Sequence, residues 1–210
     1  MGRIGALYER FVFSPLLGMV DRALSDARAN LLKQARGRVL EIGIGSGLSL
    51  DYYPADVQQV VGIEPSAQLL DSCRERLDTH AGMPATELVH AGAESLPFRD
   101  DSFDTVVAFL VFCTIPEPDR AAREMRRVLK PDGQLLFFEH VHATEPRLAR
   151  WQDRLNPLWQ PLACGCNLNR DTRAVFERAG FDMRNVRVHP HPDIPLPLVK
   201  PVIEGRVTGR

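Results

Sequence analysis

Val39-Leu40-Glu41-Ile42-Gly43-Ile44-Gly45-Ser46-Gly47-Leu48 is the stretch on which the chain turns. An apolar run bounded by glycine reads as a buried strand. Three glycines follow Glu41 at alternate positions. Glycine reaches φ > 0 and has no side chain, so a ligand can come up against the backbone there. A strand that enters such a turn and opens into a helix begins a nucleotide-type site in an open α/β sheet. The spacing E-x-G-x-G-x-G is not the dinucleotide pattern G-x-G-x-x-G, and no Gly-Lys-Ser/Thr follows, which excludes a phosphate-gripping P-loop. Alone, the stretch also fits a plain glycine-rich turn, so its surroundings decide.

Outward from that turn the chain alternates. Arg38–Ile42 is the first strand. A helix is expected from Leu48, carrying Asp51, Tyr52 and Tyr53 before Pro54 ends it. Val57–Ile63 is a second strand, ending at Glu64. A helix follows from Ser66 to about Thr79, with Ala67, Leu69, Leu70, Cys73 and Leu77 on its apolar side. Thr86–His90 is a short third strand, and Phe103–Phe109 a fourth. Ala121–Leu129 is helical, with a solvated basic face of Arg123, Arg126, Arg127 and Lys130. Pro131-Asp132-Gly133 is a turn into a fifth strand, Gln134–Glu139. Strands alternating with helices at this spacing mean βαβ units and a parallel sheet.

The rhythm then breaks. An insertion rich in Trp, Pro, Asn and Cys occupies about 140–170. A helix over Asp171–Ala179 has Asp171 or Thr172 near its N-cap and Gly180 beyond its end. Phe181–His189 is expected as strand six, four prolines stiffen the connector, and Val199–Val207 pairs antiparallel at or near the sheet edge. Ahead of the sheet, apolar residues at helical spacing, broken at Ser14-Pro15, give two amphipathic helices within an extension over 1–36. They either pack on the sheet or form a lid with Tyr8, Phe11 and Phe13 facing a ligand. Residues 37–210 form the main domain.

Composition sets bounds. The chain has 210 residues, 44% hydrophobic, with a net charge of −1, as an ordinary globular domain does. Near-neutrality argues against non-specific nucleic-acid binding. Cys73, Cys113, Cys164 and Cys166 are too sparse for a disulfide framework, which favours a reducing, cytoplasmic compartment. No segment approaches the roughly 18 apolar residues of a membrane span. Cys164-Gly-Cys166 is too small a cluster for a metal unless histidines join it, and His189-Pro-His191-Pro-Asp193 lacks a third histidine, so no metal site is expected.

Glu64 ends strand two about 20 residues past the glycine turn, where an acid accepts hydrogen bonds from ribose hydroxyls and repels a 2′-phosphate. Taken together, Glu41-Ile-Gly-Ile-Gly-Ser-Gly, Gly62-Ile-Glu64-Pro-Ser, Ala91-Gly-Ala-Glu94-Ser-Leu-Pro97-Phe, Phe103-Asp104-Thr-Val-Val and Arg127-Val-Leu-Lys-Pro-Asp-Gly133 resemble, in content and order, the class I S-adenosylmethionine-dependent methyltransferases. The resemblance implies a Rossmann-like sheet of seven strands, mostly parallel with the last antiparallel. It implies S-adenosylmethionine as cofactor, with Gly43, Gly45 and Gly47 under its methionyl part, Glu41 orienting the turn and Glu64, followed by Pro65, holding its ribose. Gly92, Ala93 and Glu94 would border the adenine. Many relatives have aspartate where Gly92 stands, so here a backbone carbonyl or Glu94 takes that contact.

The second half narrows the resemblance. Glu139-His140-Val141, Trp151-Gln152, Pro157-Leu-Trp159, Gly165-Cys166-Asn167-Leu168-Asn169-Arg170-Asp-Thr and Leu198-Val-Lys-Pro-Val-Ile-Glu-Gly205 look like the methyltransferase-like 7 group, the thiol S-methyltransferases. Animal members carry an apolar N-terminal anchor, and its absence here leads us to expect a soluble member acting on a small-molecule thiol. His140, just after strand five at the carboxyl edge, is the candidate base, with an ordinary pKa near ~6.5; a loop-orienting histidine is the equal alternative. Phe109, Phe112 and Cys113 follow strand four and would line the junction of cofactor and acceptor. Trp151 and Trp159 either wall the acceptor pocket or form the insertion's own core. Asn167 and Arg170 either fix polar substrate groups or shape turns.

Three alternatives stand beside this reading. The same fold can methylate oxygen, nitrogen or carbon, on a phenol, a phospholipid head-group amine or a quinone-type ring. A nicotinamide oxidoreductase is disfavoured by the glycine spacing. A binding module without chemistry is disfavoured by the intact glycine turn and Glu64.

Overall fold

The computed structural model describes residues 23–209. Its elements in order are α1 (Ser25–Leu32), β1 (Gly37–Ile42), a 3₁₀ turn (Leu48–Tyr52), β2 (Val57–Ile63), α2 (Ala67–Thr79), β3 (Thr86–Val89), β4 (Phe103–Phe109), α3 (Pro118–Val128), β5 (Leu129–His140), α4 (Pro146–Leu162), α5 (Thr172–Arg178), β6 (His189–Pro190), a second 3₁₀ turn (Pro197–Val199) and β7 (Pro201–Thr208). The seven strands form one sheet in the order β3-β2-β1-β4-β5-β7-β6. β1 pairs parallel with β2 and β4, and β7 pairs antiparallel with β5. Strand order therefore reverses between β1 and β4, and Ile42 stands level with Ile63 and Ala108 at their carboxyl ends. Open α/β sheets bind ligands at such a reversal.

The apolar run in β1 reflects burial on both faces. Leu40 and Ile42 enter a core beneath α3 and α5 with Phe103, Phe112, Phe137, Phe176 and Phe181. Val39 enters the opposite core with Leu31 and Leu32 of α1, Leu70 and Cys73 of α2, and Phe138. The amphipathic α3 turns Ala121, Ala122, Met125 and Val128 inward. Its outer arginines and nearby acids pair: Arg127 binds Glu124 and Asp100, while Lys130 binds Asp104. Ser66 caps α2, and Asp171 caps α5 by accepting from the Ala174 amide at 3.0 Å. Gly180 leaves α5 at φ +95°.

Several boundaries differ from expectation. The helix expected after the glycines is one 3₁₀ turn, and Tyr53 lies beyond it with an extended backbone. Ala67 and Leu69 are exposed, whereas Leu70 and Cys73 carry the buried face of α2. α3 starts earlier, at Pro118, whose missing N–H costs nothing in a first turn. The expected Pro131–Gly133 turn is taken up in β5, which meets β4 through a register irregularity. Strand six shrinks to His189–Pro190 because Phe181, Met183 and Val186 bury their side chains from a turning backbone. There Asp182 accepts the Arg184 amide and the Met183 carbonyl accepts the Val186 amide. β7 is flanked by β5 and β6 and so lies one strand in from the edge.

Within the extension, Leu31 and Leu32 of α1 are buried, and α1 packs against β5 and the first 3₁₀ turn. Tyr8, Phe11 and Phe13, with most of the expected lid, lie outside the described residues. Among the described residues no helix is long and apolar enough to cross a membrane.

Candidate active site

The glycine turn leaves β1 with Gly43, Gly45 and Gly47 all at positive φ, +65°, +56° and +81°. The three differ in what a side chain would meet. A Cβ on Gly43 would strike Val111, and one on Gly47 would strike Cys73, whereas one on Gly45 meets nothing within 4 Å. The turn is thus pressed against the protein at its ends and open at its middle, as a floor for a ligand should be.

Two acids brace this floor. Glu41 is buried and accepts the Tyr53 hydroxyl at 2.9 Å. Burial pushes its carboxyl up to about 7, against the lowering pull of Ser49, Tyr53 and Arg28. Burial, then Glu41, raises Tyr53 in turn. Glu64 accepts the Gly45 amide at 3.2 Å through one oxygen and the Ser66 amide at 3.0 Å through the other. Burial raises its pKa while these two amides lower it. A carboxylate has about four lone-pair sites, so each oxygen can still accept a ribose hydroxyl. Beyond β3, a Cβ on Gly92 would lie 2.8 Å from Oε2 of Glu94. The Glu94 carboxylate therefore sits beside the position that a side chain at 92 would occupy. The open middle of the turn, the spare capacity of Glu64 and the placement of Glu94 fit an adenosyl cofactor.

Across the strand-order reversal lies a second group. Glu139, near the end of β5, is fully buried and accepts the amides of Val111 and Phe112 at 3.0 and 3.1 Å. Burial pushes it up to about 7 against those two bonds. This clasp fixes the loop after β4, where Leu110 has φ +54°. Cys113 follows in that loop. The insertion carries Cys166 back to the sheet, and His140 Nε2 lies 3.1 Å from its sulfur. Cys113, His140 and Cys166 present donor atoms within 4.8 Å of one another. A hydrogen bond with Cys113 and then His140 hold the Cys166 thiol below its ordinary range, while Cys113 is kept protonated above it. Burial would lower His140, but Cys166 and Glu139 outweigh it and raise it. His140 Nδ1 and Trp159 Nε1 are buried without a hydrogen-bond partner.

Other expected site residues fall in varied places. Phe112 is wholly buried, edge-on to Phe176. Phe109 stacks on Phe138 at 4.9 Å and under the Arg28 guanidinium at 4.3 Å. Pro65 is exposed, and its carbonyl lies 2.8 Å from His90 Nε2. Asn167 spends its amide on the Cys113 and Gly165 carbonyls, which ties the insertion to the β4 loop. Arg170 reaches the Ile115 carbonyl from the side of α3 and α5. Trp151 does not wall the cluster. It is 55% exposed and shares an outer groove with Arg147, Arg150 and Arg154, because its neighbour Gln152 takes the inward face of α4. Gln152 is fully buried, accepts from Ala143 and donates to the Val141 and Leu198 carbonyls.

Sequence reading missed Tyr53 as the partner of Glu41, Arg28 over Phe109, and the Glu139 clasp. Cys113 lies in the loop after β4 and His140 ends the neighbouring β5, a proximity legible once β4 and β5 are paired. The return of Cys166 carried no such signal.

Residues 40–137 match the methyltransferase domain family Methyltransf_11. The chain is 39% identical over 156 residues to a phosphatidylethanolamine N-methyltransferase of Cereibacter sphaeroides, covering 70% of this chain and 76% of that one. It is 32% identical over 169 residues to human thiol S-methyltransferase TMT1A, covering 80% and 68%. Human thiol S-methyltransferase TMT1B is 29% identical, across 95% of this chain and 85% of its own. Among solved structures, the YcgJ protein of Bacillus subtilis superposes with TM-score 0.64 at 26% identity, covering 76% of this chain and 68% of that one. A Thermotoga maritima S-adenosylmethionine-dependent methyltransferase gives 0.65 at 23%, covering 99% and 100%.

Proposed function

Since this chain belongs to the class I S-adenosylmethionine-dependent methyltransferases, we propose that it methylates the sulfur of a small-molecule thiol. The observation that carries this reading is the reach of the likeness to thiol S-methyltransferases. It runs through 95% of the chain, including the insertion that brings Cys166 to His140. The likeness to the phosphatidylethanolamine enzyme covers 70%.

When bound, S-adenosylmethionine supplies an electrophilic methyl group for in-line displacement. The chain's own part is position and exclusion of water. The glycine turn leaves room above Gly45 for the methionyl portion, Glu64 accepts the ribose hydroxyls, and Glu94 takes the adenine contact that Gly92 cannot. Cys113, in the loop that Glu139 clasps, forms the dry wall beside the acceptor, while Phe112 anchors that loop in the core. A thiol is far less nucleophilic than its thiolate, and with a free pKa of about 8.5 it needs a modest push near neutrality. The His140–Cys166 pair, 3.1 Å apart at the carboxyl edge of β5, receives that proton.

The test is incubation of purified protein with methyl-labelled cofactor and matched panels of thiols, phenols and amines, with phosphatidylethanolamine vesicles as a separate arm. Thioether products are expected, and His140→Ala should lower thiol turnover at least tenfold. Label confined to amines, phenols or vesicles would overturn the thiol acceptor; label in the vesicles alone would favour the phospholipid reading suggested by the Cereibacter relative.

A further inference from the structure

We propose that Cys113, His140 and Cys166 form a three-ligand site for a thiophilic divalent cation, zinc in the first instance, with the fourth position left for a small-molecule sulfur. The cation-binding half stands on these residues alone, while the sulfur half rests on the thiol reading above.

The donor set is two thiols and an imidazole, a combination that suits zinc and excludes the hard cations magnesium and calcium. Around a tetrahedral zinc, bonds of about 2.3 Å to sulfur and 2.0 Å to nitrogen place neighbouring donors roughly 3.5–3.8 Å apart. Here the His140–Cys166 pair is at 3.1 Å and all three donors lie within 4.8 Å, so small side-chain shifts reach that geometry. It is the one such cluster among the described residues. His189 and His191, by contrast, face Glu204 and Asp193 separately.

The donors come from three separate segments, each of them held. The Glu139 clasp on Val111 and Phe112 fixes the loop of Cys113. β5, paired with β7 up to His140–Val202, fixes the histidine. The Asn167 backbone and side-chain amides both bind the Cys113 carbonyl, locking Cys166 beside it. The indole N–H of Trp159 lies beside the Cys166 sulfur, as an outer-shell donor to a ligating thiolate would. Ligation through Nε2 leaves Nδ1, buried and unpartnered, as the protonated nitrogen of His140.

Three protein ligands leave one position open, as in catalytic zinc sites. A thiol taking that position loses its proton to water, so the cation takes over the role given to His140, whose Nε2 lone pair is then engaged. In the transfer, a bond forms between the bound sulfur and the methyl carbon. The cofactor's sulfonium–carbon bond breaks with its electron pair staying on the cofactor's sulfur, and the neutral thioether leaves the cation.

The test uses the full chain, reduced and freed of metal, then titrated with cobalt(II) and separately with zinc, with metal per chain measured after gel filtration. One metal per chain is expected, with the thiolate-to-cobalt charge-transfer band and the visible bands of tetrahedral cobalt. Cys113→Ser, His140→Gln and Cys166→Ser should each weaken binding at least tenfold, while Cys164→Ser leaves it unchanged. Circular dichroism and S-adenosylhomocysteine calorimetry certify that each variant is folded, independently of turnover. Absence of a stoichiometric metal, or equal binding by folded Cys166→Ser and His140→Gln, overturns the site. Adding 2-mercaptoethanol should shift the cobalt bands in the unsubstituted protein. Bands that stay put overturn the sulfur position alone, and a shift without any thiol methylation would separate failure of the thiol reading from failure of the site.

Discussion

Glu64 and Gly45 are joined across the mouth of the sheet: the carboxylate at the end of β2 accepts the amide at the middle of the turn that leaves β1, at 3.2 Å. The second acid thus holds the glycine turn in place, and in the proposed cofactor site it keeps lone pairs for the ribose. Glu64→Gln keeps the shape but can accept through only one oxygen, while its two amide partners remain. We expect S-adenosylhomocysteine affinity to fall about tenfold or more, since charge-assisted bonds are the stronger kind. Isothermal calorimetry checks this, and unchanged affinity would remove Glu64 from the cofactor site.

Gly45 and Gly47 should fail differently. Gly47→Ala drives a methyl 2.7 Å from Cys73 Sγ at φ +81°, so it should destabilise the fold and cofactor binding together. Gly45→Ala meets nothing in the protein and suffers only the left-handed backbone, about 1–2 kcal/mol. Its methyl would project into the space proposed for the cofactor, so melting should fall by only about 2–8 °C while affinity drops sharply. Equal melting losses in the two variants would contradict this division.

Glu41 gives stability a definite pH slope. Its folded-state pKa stands at about 7 against an ordinary 4.5. Between these values the folded chain holds a proton that the unfolded chain has lost, so this contribution is full below about pH 4.5 and is lost as pH rises through 7. The shift corresponds to at most about 3.5 kcal/mol. Glu41→Gln, which keeps a partner for Tyr53, should therefore lose less stability than the parent between pH 5 and pH 8 in urea unfolding. Parallel losses would show that Glu41 does not carry the slope.

Arg127 closes the turn before β4. It binds Glu124 and Asp100 and donates to the Phe98 and Leu96 carbonyls, at 2.7 to 3.1 Å. The ion pairs are partly solvated and count for little. The carbonyl bonds need the guanidinium fork, which lysine lacks. Arg127→Lys should thus cost about 1–2 kcal/mol in chemical denaturation, nearly as much as Arg127→Ala. Full rescue by lysine would mean that charge alone matters.

The sequence by itself determined the parallel half of the molecule. Val39–Ile42, Val57–Ile63 and Phe103–Phe109 are largely apolar because both faces of the sheet are covered, and the glycines after the first and Glu64 after the second mark the edge at which the cofactor is proposed to bind. Those signals are local, being carried by runs, spacing and turn residues, and so they can be read without coordinates. Tertiary structure alone decided what faces what. Phe181–Arg184 alternates like a strand, but Asn185 breaks the pattern, and Phe181, Met183 and Val186 are buried from a turn because packing can be satisfied without a ladder. Trp151 is expelled to the surface because Gln152, a polar residue, answers three backbone groups inside. Above all, Cys166 meets His140 across 26 residues of insertion, and Cys113 joins them through a loop clasped by Glu139. Such encounters depend on hydrogen bonds between distant backbone segments, which no periodicity in the chain records.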